Sequence, residues 1–301
     1  MDSTSYSLWQ KVVHTTEQAL QRGALQPIST HIQIVPDQRL QFCVRVIDSL
    51  ARKKAAQKPP SSKFSAQTRN PFLPYEEALF VENLSETHAC LLNKFNVVNH
   101  HILMVTREYE SQDTWLTYAD FEALVRCLIE IDGLGFYNGG TQAGASQHHK
   151  HLQLIPLSSE QGELGLPLAV FIDAQKDALT QSSSLKSLPF RHCVRLLTVP
   201  WTQNTCAETA RCLLTTYEQL MVDLGLALDS QKPEVPYNLL VTRQWLMVIP
   251  RSQESYQDIG VNSLGYSGWL LVKTMEELER LRQIGPMTLL QKVGQPQSNP
   301  I

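Results

Sequence analysis

No run of apolar residues approaches the ~18 that a membrane-crossing helix needs, and the first residues, Met1-Asp-Ser-Thr-Ser-Tyr6, lack the basic stretch followed by an apolar one that marks a secretory leader. The six cysteines, at 43, 90, 127, 193, 206 and 212, never form a C-x-x-C pair. Such spacing argues against a zinc or disulfide framework and suits thiols kept in a reducing compartment. Excess charge of one sign is missing too: 26 Lys+Arg against 29 Asp+Glu give a formal −3, which offers neither nucleic acid nor a membrane surface an electrostatic footprint. There is no internal repeat and no strand–helix–strand alternation of the kind that builds a doubly wound sheet. What remains is an ordinary cytoplasmic globular chain, 301 residues and 43% hydrophobic, long enough for one large domain or two smaller ones.

Periodicity supplies the elements. Residues 4–22 place Leu8, Val12, Ala19 and Leu20 on one helical face, and 31–35 and 41–47 read as strands rich in Ile, Val and Phe. More strands are expected at 79–81, 89–95, 101–106, 135–138, 192–199, 237–242 and 245–249, the last two forming a hairpin around Arg243-Gln244. Helices are expected at 118–132, with Thr117 and Asp120 as a capping box and Gly133 as the stop, at 206–224 behind Thr205-x-x-Glu208, and after Thr274-x-x-Glu277. Hairpins separated by helices predict an α+β chain. Residues 174–190, polar and serine-rich, read as a linker or excursion between segments 1–173 and 191–301, and Gly294 to Ile301 as a tail. Between Asp48 and Glu76 no acid occurs, while Arg52, Lys53, Lys54, Lys58, Lys63 and Arg69 do, interrupted by prolines. That stretch is either a solvated loop or a basic flap over a polyphosphate. Asn93-Lys94 sets a charge in an otherwise apolar strand, as an edge lysine reaching water or as a ligand contact.

The chemistry concentrates in 138–156, Asn-Gly-Gly-Thr-Gln-Ala-Gly-Ala-Ser-Gln-His-His-Lys-His-Leu-Gln-Leu-Ile-Pro. If 149–155 is a strand, His149, His151 and Gln153 share one face while Lys150, Leu152 and Leu154 share the other. The preceding small-residue loop offers backbone N–H groups to an anion. Three readings compete. His-x-His on a strand is a common zinc pair, although no third ligand clusters nearby in sequence. Two histidines satisfied within a sheet would be purely structural. A neutral imidazole, nucleophilic near pH 7, can attack phosphorus if its other nitrogen is held by a carbonyl. His151 fits that task, with the backbone of His149 orienting the ring and the Gln153 amide donating to a phosphate oxygen.

The His149-x-His151-x-Gln153 string, with Asn138-Gly-Gly and Gly144-Ala-Ser-Gln147 before it, resembles the histidine-triad superfamily, and within it the ATP adenylyltransferase branch, the Ap4A phosphorylases. Leu92-Asn-Lys-Phe-x-Val97 and Asn262-Ser-x-Gly265 through Gly268-x-Leu-Leu-x-Lys273 extend the resemblance over roughly residues 40–275. The resemblance implies a histidine-triad-like fold, mostly antiparallel sheet with packed helices, in which the C-terminal segment completes one catalytic unit. It implies that His151 takes up AMP and that adenylyl transfer to phosphate gives Ap4A + phosphate ⇌ ADP + ATP. Substrate-binding positions carried over are Asn93, Lys94, Asn138, Gly144, Ala145, Ser146, Gln147, Gln153, Asn262, Ser263, Leu264, Trp269 and Lys273, with Lys53 from the basic loop; His149 orients the nucleophile. Trp269 stands where a smaller or more flexible side chain is expected. No tightly bound cofactor or metal is implied, only Mg2+ arriving with the nucleotide, and the partners are small molecules (Ap4A, ATP, ADP, phosphate), with neither nucleic acid nor membrane. Gln153 in the third triad position argues against the alternative of a hydrolase. Other nucleotidyltransferases and a nucleotide-binding sensor without turnover are the remaining rivals.

Overall fold

Helix α1 (Leu8–Gln21) begins where Ser7 and Gln10 close a reciprocal capping box, the serine hydroxyl accepting from Gln10 N and the glutamine carboxamide accepting from Ser7 N. It opens a computed structural model that describes residues 6–48, 70–157, 165–180, 182–226, 230 and 232–297. Strands β1 (Thr30–Asp37) and β2 (Leu40–Ile47) form the expected hairpin. The chain continues through β3 (Phe80–Asn83), β4 (His88–Leu92) and β5 (Ile102–Thr106) to α2 (Tyr118–Glu130), then β6 (Gly133–Gly139), β7 (His151–Pro156), α3 (Pro167–Asp173), β8 (Cys193–Leu196) and α4 (Cys206–Asp223). The hairpin β9 (Tyr237–Val241) and β10 (Trp245–Pro250) follows, then short β11 (Ser255–Tyr256) and β12 (Ile259–Gly260), α5 (Ser263–Tyr266), β13 (Trp269–Val272), α6 (Met275–Ile284) and α7 (Pro286–Val293).

The main sheet has eight strands in the order β3-β4-β5-β7-β6-β9-β10-β8, and each neighbouring pair runs antiparallel. Segments on either side of residue 174 therefore share one sheet, joined where β6 pairs with β9 from Gly135↔Val241 to Gly139↔Tyr237. One face packs on α1, α2 and α4 through a core that includes Val12, Phe121, Leu124, Leu152, Tyr217 and Leu239. The opposite face meets the three-stranded sheet β1-β2-β13 and helices α3, α6 and α7 through Phe42, Phe136, Phe171, Leu240, Leu278 and Leu290. Strand β13 joins β2 in parallel.

Several boundaries differ from the sequence reading, each for a physical reason. Asn93 and Lys94 lie just beyond β4, in the turn leading to β5, where Asn93 N bonds His101 O; the odd charge is a turn residue, not a strand residue. Gly133 opens β6 instead of stopping α2, which ends at Glu130 with Ile131 as its C-cap. Its missing side chain lets the chain pass 2.7 Å (measured from an ideal Cβ) from Ile155 O. At α4, Thr205 makes no side-chain cap; its hydroxyl donates to Pro200 O and pairs with Thr202 one turn earlier. The serine-rich stretch buries Leu179, Leu185 and Leu188, so it is part of the core wall. Helix α7 follows Gly285 directly, with Pro286 at its first position, where the missing proline N–H costs nothing.

Candidate active site

Strand β7 begins at His151, two residues later than expected, because His149 pairs only with Ser111 in an isolated bridge; the alternation of side chains nevertheless extends back through Lys150 and His149. Lys150 is fully buried on the helix-packed side, its ammonium 2.7 Å from Asp120 and donating to Trp115 O. On the other side, His151 Nδ1 lies 2.8 Å from His149 O. A carbonyl only accepts, so Nδ1 carries the ring proton and Nε2 holds a free lone pair. The imidazole is buried, and burial pushes its pKa down to about 4, so the ring is neutral and nucleophilic at physiological pH. His149 is fixed by the same logic: Asn70 Oδ1 accepts from Phe72 N at 3.0 Å, turning the Asn70 amide toward His149 Nδ1 at 2.8 Å. His149 Nε2–H then donates to Thr106 O at 2.7 Å. Both of its nitrogens are thereby engaged, which removes it as a metal ligand, and among the described residues no group of three His, Cys, Asp or Glu is placed to hold a metal ion. Phe72 packs against both rings.

A cavity of about 1200 Å³ opens over β4, β5 and β7. His151, Gln153 and Asn138 line it, as do Gly144, Ser146 and Gln147 of the loop after β6. From the C-terminal segment come Asn262, Leu264, Trp269 and Lys273, and from the β4–β5 turn Asn93 and Lys94. Lys94 Nζ is 2.5 Å from Glu76 Oε2, also at the cavity. Lys273 sits at the start of α6, whose first turn is capped by Thr274 accepting from Glu277 N at 3.0 Å; the helix dipole adds to its positive end. Trp269 is held by its indole N–H donating to Gly165 O, with Arg45 over its ring at 5.8 Å.

Other expected contributors take supporting positions. Ser263 is fully buried and its hydroxyl bonds Tyr137 O and Asn138 Oδ1. Ala145 N donates to Gly140 O, closing the loop on itself. Lys53 lies outside the described residues, as do the other basic residues of 52–69.

Support residues that sequence reasoning missed converge behind the loop. Asn138 Oδ1 accepts from Ser263 N, Ser263 Oγ and Asn238 Nδ2, all within 2.9 Å. Three donors on the oxygen turn the Asn138 NH2 toward the cavity as a fixed donor. Asn238 also donates to Ala143 O. Arg251 is buried with no acidic partner within salt-bridge distance among the described residues; its guanidinium reaches Asn238 Oδ1 at 2.7 Å, Val261 O at 2.9 Å and Val293 O at 3.1 Å. It thus binds loop, hairpin and C-terminal helix together by carbonyl dipoles. Gln112 closes the gap where β6 and β7 part, its amide donating to Asn138 O and His151 O while its oxygen accepts from His151 N. The available signal was a polar residue in a fully buried strand, which Asn238 satisfies; Gln112 and Arg251 gave none. Gly144, at φ +88°, passes so near Asn262 that a Cβ would lie 2.8 Å from its Cα, so loop and C-terminal segment can meet only through glycine.

The sequence matches the family model described as Ap4A phosphorylase N-terminal domain over residues 1–174 and that of the ATP adenylyltransferase C-terminal domain over 186–296. It is 31% identical to diadenosine 5',5'''-P1,P4-tetraphosphate phosphorylase 2 of Saccharomyces cerevisiae over 82% of this chain and 81% of that protein. The fold superimposes on crystal structures of yeast Ap4A phosphorylase Apa2 in complex with AMP and with Ap4A, both at TM-score 0.75 and 25% identity, covering 98% and 97% of this chain and 99% and 98% of those chains.

Proposed function

The chain belongs to the Ap4A phosphorylase family, with its paired N-terminal phosphorylase and C-terminal ATP adenylyltransferase domains, and from that premise we infer that it catalyses Ap4A + phosphate ⇌ ADP + ATP. The observation that carries this reading is the His151 ring, neutral, proton-bound on Nδ1 by the His149 carbonyl, with its Nε2 lone pair free beside the cavity.

In the first step Nε2 attacks an α-phosphorus of Ap4A. The new P–N bond forms as the P–O bond to the remaining three phosphates breaks, and ATP leaves with that electron pair. In the second step an oxygen of inorganic phosphate attacks the adenylyl phosphorus, the P–N bond breaks, and ADP departs. The ring keeps its Nδ1 proton throughout. Charge grows on the non-bridging oxygens in both transition states, so fixed N–H donors and cations around them matter more than a strong base. Gln153, the Asn138 NH2 and the N–H groups of Ser146 and Gln147 are assigned as those donors, since the Gly144 and Ala145 N–H groups go to Thr141 O and Gly140 O within the loop. Lys94, Lys273 and Lys53 supply the positive charge that favours phosphate over water as acceptor, and Mg2+ enters on the nucleotide. Asn262, Ser263, Leu264 and Trp269 complete the site from the C-terminal segment.

Incubating the protein with Ap4A, with and without inorganic phosphate, tests the reading. ADP and ATP in equal amounts, produced only with phosphate and abolished in His151→Ala, are expected. AMP plus ATP without phosphate would make the protein a hydrolase, and tight binding without turnover would make it a sensor.

A further inference from the structure

The motif residues leave one buried imidazole at the cavity without a role. His101 stands just before β5, 6% exposed, and lines the cavity beside His151 and Gln153. Its Nδ1 lies 3.0 Å from Asn93 Nδ2 and its Nε2 lies 3.0 Å from Gln153 Oε1. The ring therefore joins a residue of the β4–β5 turn to one within β7, and both line the cavity.

The direction of each bond follows from one backbone group. Phe95 N donates to Asn93 Oδ1 at 3.4 Å, so the Asn93 amide must present its NH2 to the ring. Nδ1 must then accept, and a neutral imidazole that accepts at Nδ1 carries its proton on Nε2. That proton can go only to the Gln153 oxygen. The carboxamide is thereby fixed with its oxygen toward His101 and its NH2 on the other side, where His151 and Asn138 present the nucleophile and a second fixed donor. A glutamine without this anchor would rotate freely, and in half of its orientations it would offer a lone pair to an anionic phosphate. Burial also disfavours a charged ring, lowering the His101 pKa to about 4, so the ring is neutral at pH 7 and its hydrogen bonds alone set the tautomer. Phe136 packs on the ring at 5.8 Å and holds its plane.

We propose that His101 is a positioning residue for adenylyl transfer: as the Nε2–H tautomer, held by Asn93, it locks the Gln153 amide so that its NH2 faces the phosphorus attacked by His151. This rests on the reading of His151 as the adenylyl acceptor.

The test measures formation of the AMP–protein adduct from radiolabelled Ap4A without phosphate, in rapid-quench single turnovers at saturating substrate. His101→Phe, which keeps the ring volume and removes both hydrogen bonds, is expected to slow adduct formation on the order of 100-fold, the usual cost of one lost donor at a developing oxyanion. Its affinity for AMP, read by calorimetry, should change by less than about 5-fold, because the amide matters most when charge develops. His101→Gln can place an N–H at the Nε2 position and should recover to within about 10-fold of the parent. Nitrogen-15 spectra of the histidine rings in the ligand-free parent protein should show His101 as the Nε2–H tautomer at pH 7. A parent-like rate in His101→Phe overturns the proposal. So does a folded His101→Gln as slow as the Phe variant, or an Nδ1–H tautomer. If His101→Phe fails to fold, the tautomer and the Gln variant decide. Absence of any adduct in the parent would instead sink the reading of His151, while the spectra still report on His101.

Discussion

Asp120 meets four groups at once. Its Oδ2 accepts from Thr117 N at 2.7 Å and Thr117 Oγ1 at 2.9 Å, opening α2, and from the Lys150 ammonium at 2.7 Å; its Oδ1 pairs with His88 Nε2 at 3.1 Å. Burial alone would raise this carboxyl, yet the His88 hydrogen bond and the Lys150 charge hold it below the ordinary carboxylate value. Lys150 lies between His149 and His151 in sequence, so the ion pair seats the start of β7 from below while the catalytic face is used from above. Replacing one member of a buried pair leaves an uncompensated charge and costs about 3–5 kcal/mol. Glu110 remains 3.2 Å from the Lys150 ammonium, so Asp120→Asn is expected near the lower end. Urea unfolding checks this: a midpoint unchanged from the parent would show that the pair adds nothing to the fold.

At the scale of elements, the loop after β6 depends on Gly144 being bare. Gly144→Ala faces both a positive φ and a 2.8 Å approach to the Asn262 backbone, so loop and C-terminal segment must separate. The expected result is a rise in the KM for phosphate and for Ap4A of about 10-fold or more, with the fold retained, because the Ser146 and Gln147 N–H groups no longer line up on the anion. Steady-state kinetics with unchanged constants would remove the loop from the site. Most strands were legible because alternation and β-branched runs are local signals, and His151 was legible because it sits on such an alternation. The stop of α2 was misread because a glycine after a helix is equally suited to a crowded strand start. Helix α7 was missed because Gly285-Pro286 reads locally as a break, although proline is well suited to a first helical position. Gln112, Asn238, Arg251 and His101 escaped notice because their roles are set by strand neighbours remote in sequence.

For the whole molecule, buried imidazoles tie folding to pH. His101, His151 and His192 each have a pKa lowered to about 4 by burial, against ~6.5 in an unfolded chain. Between those values the unfolded state binds more protons, so stability rises with pH. Their contribution is complete above about pH 6.5 and is lost as pH falls through about 4, at about 1.4 kcal/mol per pH unit for each group. Thermal unfolding should show a falling midpoint from pH 7 to pH 4.5, and His192→Gln, beside the edge strand β8 at the other end of the sheet from β3, should make that slope shallower. A flat midpoint over this range would contradict the burial. The β6–β9 pairing has a further consequence, for synthesis. When β7 has left the ribosome, β6 still waits for a neighbour that is encoded some 80 residues later. At 5–20 residues per second the backbone N–H and C=O groups on its β9 side stay bare for roughly 4–16 s. An unpaired, apolar strand edge of that kind is a template for the wrong partner, so newly made chains crowded on one message are the population most exposed to aggregation.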